Sequence, residues 1–223
     1  MNSIVRTFIV LPMKREREIP QEFQKSDNRF AECLVRLLIE EYSNPGDTVL
    51  DVFAGLGTVL FVAESMGRVP YGIELDVNRF NFIRENLVTK GNIIHGNARK
   101  IDDYNLPKAD LVLTSPPFMK QTSRHDPLAT DKKDGYYSKY LDELSGIFKK
   151  LNGFLNPDAY VILEVSNLKG EEITPLAWDI SREVSKVLHF KGEIVVGWEG
   201  PDYGRGVFGY GYDHSYCLVF RKF

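Results

Sequence analysis

Short apolar runs alternate along the chain with longer segments whose apolar residues recur at helical spacing. The runs with strand length and buried character are Thr48–Phe53, Val69–Leu75, Asn92–Ala98, Ala109–Ser115, Ala159–Ser166, Glu193–Glu199 and Ser215–Phe223. Each run is bounded by turn residues, which predicts a β-strand. An earlier run, Arg6–Met13, predicts either a short strand or an arm that lies on the domain.

The segments between these runs predict helices. In Arg29–Tyr42, apolar residues form a single stripe at helical spacing. The other predicted helices are Gly57–Gly67, Val77–Gly91, Tyr137–Leu155 and Thr174–Phe190. Strands that alternate with helices predict an α/β fold, a doubly wound and mostly parallel sheet of seven strands. Only a glycine-rich loop joins the last two strands, so the last strand should be antiparallel.

Length and charge narrow the classes of protein. A chain of 223 residues can bury one good core, and we predict an N-terminal arm at residues 1–28 and a single domain at 29–223. The net charge of −3 argues against a protein that coats nucleic acid everywhere, but it allows a local basic patch. No stretch is apolar enough to span a bilayer, and the N-terminus lacks a signal-peptide core.

The two cysteines, Cys33 and Cys217, fit no metal-ligand spacing. We expect them to be small buried apolar residues, which suits a reducing cytoplasm.

The first strand leads into a glycine turn, "DVFAGLGTV" at Asp51–Val59. Gly55 and Gly57 permit a tight turn and a close backbone approach by a ligand. Glu74 ends the next strand roughly 20 residues later, where an acidic residue binds ribose hydroxyls in nucleotide-binding α/β folds. A plain strand-to-helix turn is the alternative.

Two details of this turn argue against a dinucleotide. Leu60 stands where the G-x-G-x-x-G pattern needs its third glycine, which disfavours a nucleotide-dependent oxidoreductase. Asp51 precedes the turn, and a carboxylate suits a zwitterionic amino acid better than a pyrophosphate. S-adenosylmethionine has that amino-acid tail and a ribose, but it has no phosphate.

A second motif, "TSPPF" at Thr114–Phe118, ends a predicted buried strand. Two consecutive prolines cannot continue a central strand, because neither offers an N–H to the ladder. They fix a stiff, extended exit, which is either a rigid loop or a clamp for a flat, polar substrate.

These motifs together resemble a known family. Ser43–Leu60 is very similar to the cofactor segment of the S-adenosylmethionine-dependent amino-group methyltransferases of nucleic acids, especially the cytosine-N4 type. Thr114–Phe118 is similar to the catalytic tetrad of that family, S-P-P-Y or S-P-P-F, and Asp213–Lys222 resembles its closing strand. The resemblance covers roughly Phe30 to Phe223, with gaps. It implies a Rossmann-like class I methyltransferase fold that uses S-adenosylmethionine.

The resemblance also implies a set of site residues. Those implied to bind the cofactor are Phe30, Asp51, Phe53, Ala54, Gly55, Gly57, Thr58, Glu74, Leu75, Asn97, Ala98 and Thr114, and the implied catalytic residues are Ser115, Pro116, Pro117 and Phe118. Asp51 and the glycine turn would line the methionine side, Glu74 would bind the ribose, and Asn97 would lie beside the adenine. Many relatives carry an acid where Asn97 stands. Phe30 would cover the cofactor or, equally, begin the core of its helix.

The tetrad suits attack by an exocyclic amine. The nitrogen lone pair of such an amine is delocalised into the base, and acceptors beside the amino hydrogens help to localise it. The Ser115 hydroxyl and the Pro116 carbonyl are candidate acceptors, and Phe118 offers a face on which the base can stack. A serine nucleophile with a histidine base is the alternative, and the available histidines are His95, His125, His189 and His214. Ser115 lies outside a G-x-S-x-G elbow, which disfavours that chemistry.

The target is predicted from the tetrad and from two loops. A serine in the first tetrad position is commoner in cytosine-N4 enzymes, and the chain has no room for a sizeable DNA-recognition region. We therefore expect RNA, and ribosomal RNA in particular, with DNA cytosine-N4 or adenine-N6 methylation and a non-catalytic scaffold as alternatives. The candidate contacts are Lys120, Arg124, Lys132 and Lys133 in the loop Met119–Tyr136, and Tyr203, Arg205, Phe208, Tyr210 and Tyr212 in the loop Gly200–His214. Solvated loops with a few core-facing rings remain the alternative.

Overall fold

A computed structural model describes residues 6–24, 27–129, 135–200, 206 and 208–222 of the chain. Eight strands form one sheet in the order β1-β7-β8-β6-β5-β2-β3-β4. Their bounds are β1 Phe8–Pro12, β2 Thr48–Asp51, β3 Val69–Glu74, β4 Ile93–His95, β5 Ala109–Thr114, β6 Leu155–Val165, β7 His189–Glu199 and β8 His214–Arg221. The seven predicted strands are confirmed, and the run at Arg6–Met13 supplies an eighth at the edge of the sheet.

The sheet is parallel except at β8. Strand β8 runs antiparallel to both of its neighbours, β6 and β7, and every other pair of neighbours is parallel. The predicted doubly wound α/β sheet with an antiparallel last strand is therefore confirmed. Strand β1 extends it because its backbone pairs in register with β7, from Phe8 opposite Val195 to Pro12 opposite Glu199.

The α-helices are α1 Gln21–Gln24, α2 Glu32–Tyr42, α3 Thr58–Ser65, α4 Val77–Asn86, α5 Tyr137–Leu151 and α6 Leu176–Val184. Short 3₁₀ helices occupy Lys90–Asn92, Ala98–Asp103 and Asn152–Phe154. Each predicted helix is present, but α6 is much shorter than the predicted Thr174–Phe190, because residues 185–188 form a turn and a bend, and His189 and Phe190 begin β7. Helix α1 had no clear apolar period and was not predicted. None of the helices within the described ranges has the length and apolar character that crossing a bilayer requires.

Two layers of helices cover the sheet. Alternate residues of the central strands face opposite sides, so Val49 packs with α2 and α3 while Leu50 packs with α5 and α6. A smaller cluster joins α3 to α4 through Leu60 and Ile83. Both cysteines are unpaired, with Cys217 buried and Cys33 half-buried. This arrangement leaves the carboxyl ends of β2, β3, β4 and β5 side by side at one edge, where ligands bind in open α/β sheets.

Candidate active site

A cavity of about 870 Å³ opens at the carboxyl ends of these strands. Of the predicted site residues, its wall contains Phe30, Asp51, Phe53, Ala54, Gly55, Thr58, Glu74, Leu75, Asn97, Ala98, Ser115, Pro116, Pro117 and Phe118. The structure therefore brings the glycine turn and the S-P-P-F tetrad, which lie far apart in the sequence, to one space. Gly57 and Thr114 are the two predicted residues that do not line it.

Thr114 and Gly57 act behind the wall. Thr114 is fully buried, and its hydroxyl donates to Asp51 Oδ1 at 2.6 Å, so it orients that carboxylate. Gly57 precedes α3 with φ of 78°, a left-handed conformation that favours glycine. A Cβ on Gly57 would lie 2.8 Å from Ile83 Cγ1, because α4 packs closely on this turn. Neither residue lines the cavity, so the structure does not place either one in direct contact with a cofactor there.

Asp51 is the most buried titratable group in the wall. Only 2% of it is exposed, and its Oδ1 also accepts from the Phe53 N–H at 3.1 Å. Burial raises the pKa of Asp51 to about 7, against the opposing effect of the Thr114 and Phe53 hydrogen bonds. A cation in the cavity would favour the ionised carboxylate, so the site is suited to an ammonium group.

Glu74 holds the glycine turn in place. Its Oε2 accepts from the Gly55 N–H at 2.6 Å, and its Oε1 accepts from the Asp76 N–H at 2.8 Å. Burial raises the pKa of Glu74, and these backbone hydrogen bonds oppose that rise. Each carboxylate oxygen has two lone pairs, so both oxygens can still accept from a ligand hydroxyl at the cavity surface.

The side chain of Asn97, in the cavity wall, forms two hydrogen bonds within the protein. Its Oδ1 accepts from the Arg99 N–H at 3.0 Å, and its Nδ2 donates to the Leu128 carbonyl at 3.3 Å. Asn97 therefore connects the segment after β4 to the loop after the tetrad. Its predicted place beside an adenine stays a prediction.

The tetrad forms a rigid part of the wall. The Tyr140 hydroxyl, buried in α5, donates to the Pro117 carbonyl at 2.9 Å and fixes the proline pair. Within the described part of the chain, neither the Ser115 hydroxyl nor the Pro116 carbonyl is used in a hydrogen bond. Both acceptors are therefore available to a substrate amine.

The Phe118 ring belongs to an aromatic group. It meets Phe208 and Tyr210 edge-on, with centroid distances of 5.9 and 5.6 Å, and Tyr210 also lines the cavity. Lys120 Nζ lies 5.8 Å from the centroid of the Tyr210 ring. Of the other predicted loop contacts, Arg124 lies over Tyr136 at 5.1 Å, whereas Lys132, Lys133, Tyr203 and Arg205 fall outside the described residues.

Two histidines also reach the cavity, but neither is placed as a base for Ser115. His95 stacks on Phe80, with centroids 5.3 Å apart, and its Nε2 shares a hydrogen bond with the Leu75 carbonyl at 3.2 Å. His125 lies in the loop after the tetrad, where its backbone N–H donates to Ser123 Oγ at 3.2 Å. No hydrogen bond joins Ser115 to a histidine among the residues that the structure describes.

Sequence reasoning missed several wall residues. Asn28 and Arg29 line the cavity ahead of Phe30, and Asp76, Arg79 and Gly96 line it beyond Glu74. Asp76 had a signal, because its carboxylate caps α4 by accepting from the Asn78 and Arg79 N–H groups.

The loop after the tetrad also contributes, through His125, Pro127, Leu128 and Ala129. It is held by Arg99, whose Nη2 bonds Asp126 Oδ2 at 2.6 Å and also reaches Glu143, while Nη1 donates to the Leu128 carbonyl at 2.8 Å. These partners lie 27 or more positions from Arg99, so no local pattern predicts them.

The wall fits S-adenosylmethionine. Thr58 Oγ1 is buried at the start of α3 and has no hydrogen-bond partner among the described residues, which leaves a hydroxyl for a polar ligand group. A hydroxyl beside a helix N-terminus suits the carboxylate of an amino acid, and the nearby Asp51 suits its ammonium group. The turn thus offers partners for both charges of a zwitterion.

Comparisons with known proteins agree with this chemistry. A sequence-family model described as "DNA methylase" matches residues 9–85, which contain the glycine turn and Glu74 but not the tetrad. The chain is also 31% identical over 120 residues to the tRNA (guanine(10)-N2)-dimethyltransferase of Methanothermobacter thermautotrophicus, which covers 51% of the chain but only 32% of that relative.

Solved structures share the fold. TrmN from Thermus thermophilus superposes with a TM-score of 0.62 at 20% identity, over 91% of this chain and 53% of that one. The M protein of the type I restriction enzyme EcoKI does so with a TM-score of 0.56 at 18% identity, over 87% of this chain and 44% of that one. The Rossmann-like methyltransferase fold is therefore confirmed. The "DNA methylase" match and the transfer-RNA relative also support the resemblance to nucleic-acid methyltransferases, each over part of the chain.

Proposed function

We propose that the chain transfers a methyl group from S-adenosylmethionine to the exocyclic amino group of a nucleobase in RNA. The observation that carries this proposal is the single cavity that holds both the Asp51–Glu74 end and the S-P-P-F tetrad. An oxidoreductase needs no such tetrad, and neither does a scaffold that only binds the cofactor.

Each residue has a role in this reaction. The cofactor, when bound, supplies an electrophilic methyl group. Asp51 binds the ammonium group of its tail, Thr58 the carboxylate, and Glu74 the ribose hydroxyls. The Ser115 hydroxyl and the Pro116 carbonyl accept hydrogen bonds from the target amine, which localises its lone pair for attack. Because the prolines are already fixed by Tyr140, little ordering is needed when the base enters.

We propose cytosine N4 in ribosomal RNA as the first candidate target, because the tetrad begins with serine. Phe118 stacks on the base, which must be unpaired or flipped out to reach the cavity. The proposed polymer is RNA because a curated relative at 31% identity acts on transfer RNA, and because aromatic rings, which suit unpaired RNA bases, lie beside the tetrad. The proposed compartment is the cytoplasm, where unpaired thiols such as Cys33 and Cys217 persist. We propose that residues 29–223 form a single methyltransferase domain, and that the N-terminal arm at residues 1–28 adds strand β1 to its sheet.

A second candidate is guanine N2 in transfer RNA. It is supported by the 31% identity to a tRNA guanine-N2 enzyme, although the match spans about a third of that relative. Methylation of DNA at cytosine N4 or adenine N6 is a third candidate, supported by the "DNA methylase" match.

One experiment separates these targets. The purified chain is incubated with tritiated cofactor and with ribosomal RNA, transfer RNA or duplex DNA from cells that lack the gene, and the nucleosides are resolved by mass spectrometry. The first proposal predicts label in N4-methylcytidine from ribosomal RNA. Label in N2-methylguanosine from transfer RNA would replace it with the second candidate, and label in DNA alone would overturn the RNA assignment. A Ser115→Ala chain is the control for a contaminating activity.

A further inference from the structure

A row of aromatic side chains leads from the cavity toward β8. Residues Tyr210, Tyr212, His214 and Tyr216 alternate with small or acidic residues, so their side chains can project to one side of the chain. With Phe118 at one end and Trp178 of α6 at the other, we name these residues the aromatic row.

The rings of the aromatic row lie close together. Phe118 and Tyr210, at the cavity end, have centroids 5.6 Å apart. His214 lies 5.3 Å from both Tyr212 and Tyr216, and Trp178 lies 5.0 Å from Tyr216. The row therefore has two groups of rings, one at the cavity wall and one that ends at Trp178, which is 47% exposed, and the backbone of residues 210–212 joins them.

The row is partly uncovered because it extends past the helical layer. Leu218 and Phe220 continue the same alternation along β8 and are fully buried in the core beneath α5 and α6. Tyr210, Tyr212, His214 and Tyr216 are only half-buried. Their hydroxyl and imidazole groups are polar, unlike the side chains of Leu218 and Phe220 in the core.

Two lysines lie over the faces of the row. Lys169 Nζ is 4.6 Å from the centroid of Tyr212, and Lys120 Nζ is 5.8 Å from that of Tyr210. The Lys169 N–H also donates to the Tyr210 carbonyl at 2.9 Å, which ties the two segments together. The one carboxylate on this stretch, Asp213, is paired with His214 Nδ1 at 3.1 Å.

Flat rings that alternate with ammonium groups match the chemistry of a single-stranded nucleic acid. Bases stack on the rings, and the lysines meet the phosphates. We propose that the aromatic row binds the unpaired nucleotides adjacent to the target base in an RNA strand. This inference rests on the proposed function, because the row starts at the ring on which the target base stacks.

The test measures strand binding without catalysis. A fluorescein-labelled single-stranded oligocytidine RNA serves as the probe, its affinity is measured by anisotropy without cofactor, and salt is varied. Trp178→Ala and Tyr212→Ala should each weaken binding by roughly 5- to 150-fold, as expected for loss of one stacked base. Tyr212→Phe keeps the ring and should bind like the wild type.

Matched controls come from residues outside the aromatic row. Phe190→Ala removes a ring of similar exposure, 40%, at the start of β7, and should leave affinity unchanged. Lys169→Ala should lower the slope of log affinity against log salt by about 0.7, the value for one phosphate of a single strand. Lys90→Ala, before β4, should leave that slope unaltered.

Strand binding tests the aromatic row, and methyl transfer tests the proposed function. If Trp178→Ala and Tyr212→Ala both bind the strand like the wild type while still binding cofactor in calorimetry, the inference is wrong. Equal weakening by Phe190→Ala would also overturn it, since the effect would then be general destabilisation. Tighter binding of a DNA strand of the same sequence would overturn the assignment to RNA and would indicate that the row binds single-stranded DNA. A failure of methyl transfer with intact strand binding would count against the proposed function alone.

Discussion

Single side chains of the cavity wall carry separate parts of the proposed reaction. Asp51 and Glu74 are buried at the ends of adjacent strands, and their carboxylates are directed by Thr114 and by backbone N–H groups. Ser115 is placed by the strand exit, without a hydrogen bond from the described residues. Substitutions of Ser115 should therefore change the rate of methyl transfer to the base, and substitutions of Glu74 should change the affinity for the cofactor.

Ser115→Ala should lower the rate of methyl transfer on the order of 100-fold, because it removes one acceptor from the target amine. Cofactor affinity should change little, since the role proposed for Ser115 is contact with the base. Single-turnover tritium transfer and calorimetry measure the two quantities. Ser185→Ala, at the end of α6, is the control, and a large loss of cofactor affinity in Ser115→Ala would contradict its role.

Glu74→Ala should weaken cofactor binding by about 10- to 150-fold, since hydrogen bonds to a charged group contribute about 1.5–3 kcal/mol. The same change also releases the Gly55 and Asp76 N–H groups, so Glu74→Gln, which keeps one carbonyl acceptor, should be affected less. Calorimetry with S-adenosylmethionine measures both. Unaltered affinity in both variants would exclude Glu74 from the site.

Among the elements, the contact between α3 and α4 shapes the cofactor end of the cavity. The turn before α3 is left-handed at Gly57, and α4 leaves no room there for a side chain. The tetrad end depends on a different contact, in which Arg99 holds the loop after β5.

Gly57→Ala should destabilise the protein by about 2–4 kcal/mol, because the left-handed conformation costs about 1–2 kcal/mol and overpacking against Ile83 adds to it. Gly146→Ala is the control, since the space around that helical glycine is open. It should be neutral or stabilising by about 0.5–1 kcal/mol. Urea unfolding measures both, and equal midpoints for the two variants would contradict the close packing at Gly57.

The Arg99–Asp126 pair should show a coupling energy of about 1–2 kcal/mol in a double-mutant cycle, because both groups are largely buried and bonded at 2.6 Å. The variants are Arg99→Ala, Asp126→Ala and the combination, measured by urea unfolding. The single variants should also lower the rate of methyl transfer, since Leu128 of the cavity wall belongs to this loop. Additive effects on stability would show that the pair does not hold the loop.

For the molecule as a whole, two buried carboxylates make stability depend on pH. Burial raises the pKa of Asp51 and that of Glu164 to about 7. In the part of the chain that the structure describes, the Glu164 carboxylate accepts one hydrogen bond, from the Ser215 hydroxyl at 3.0 Å. In the unfolded chain such groups titrate near pH 4. Between about pH 4 and pH 7 the folded state therefore binds more protons, so the stability from these groups is present at acidic pH and is lost as pH rises through about 7.

The protein without cofactor should thus be more stable at pH 5 than at pH 8. Each group contributes about 2–3 kcal/mol to this difference, because its folded-state pKa of about 7 lies about two units above pH 5. Urea midpoints at several pH values measure it, and Asp51→Asn and Glu164→Gln should each flatten the dependence. Saturating cofactor should reduce the slope, because an ammonium group beside Asp51 favours its ionised form. A midpoint that rises steadily from pH 5 to pH 8 would contradict the burial of these two groups.

The sequence by itself determined the order of strands and helices, the antiparallel last strand, and the glycine turn and tetrad as candidate chemistry. These features follow from local patterns, since periodicity, turn residues and prolines act over a few neighbouring positions. Helix ends were predicted less well, as in α6, because the final turn depends on packing.

Only the tertiary structure decided which residues share the cavity. It placed Gly57 and Thr114 behind the wall, brought Asn28, Arg29 and the segment His125–Ala129 into it, and gave Arg99 its distant partners. The pKa of Asp51 also belongs to this level, because desolvation comes from every element packed around a group. Such contacts join residues that lie far apart in the chain, and no local pattern encodes them.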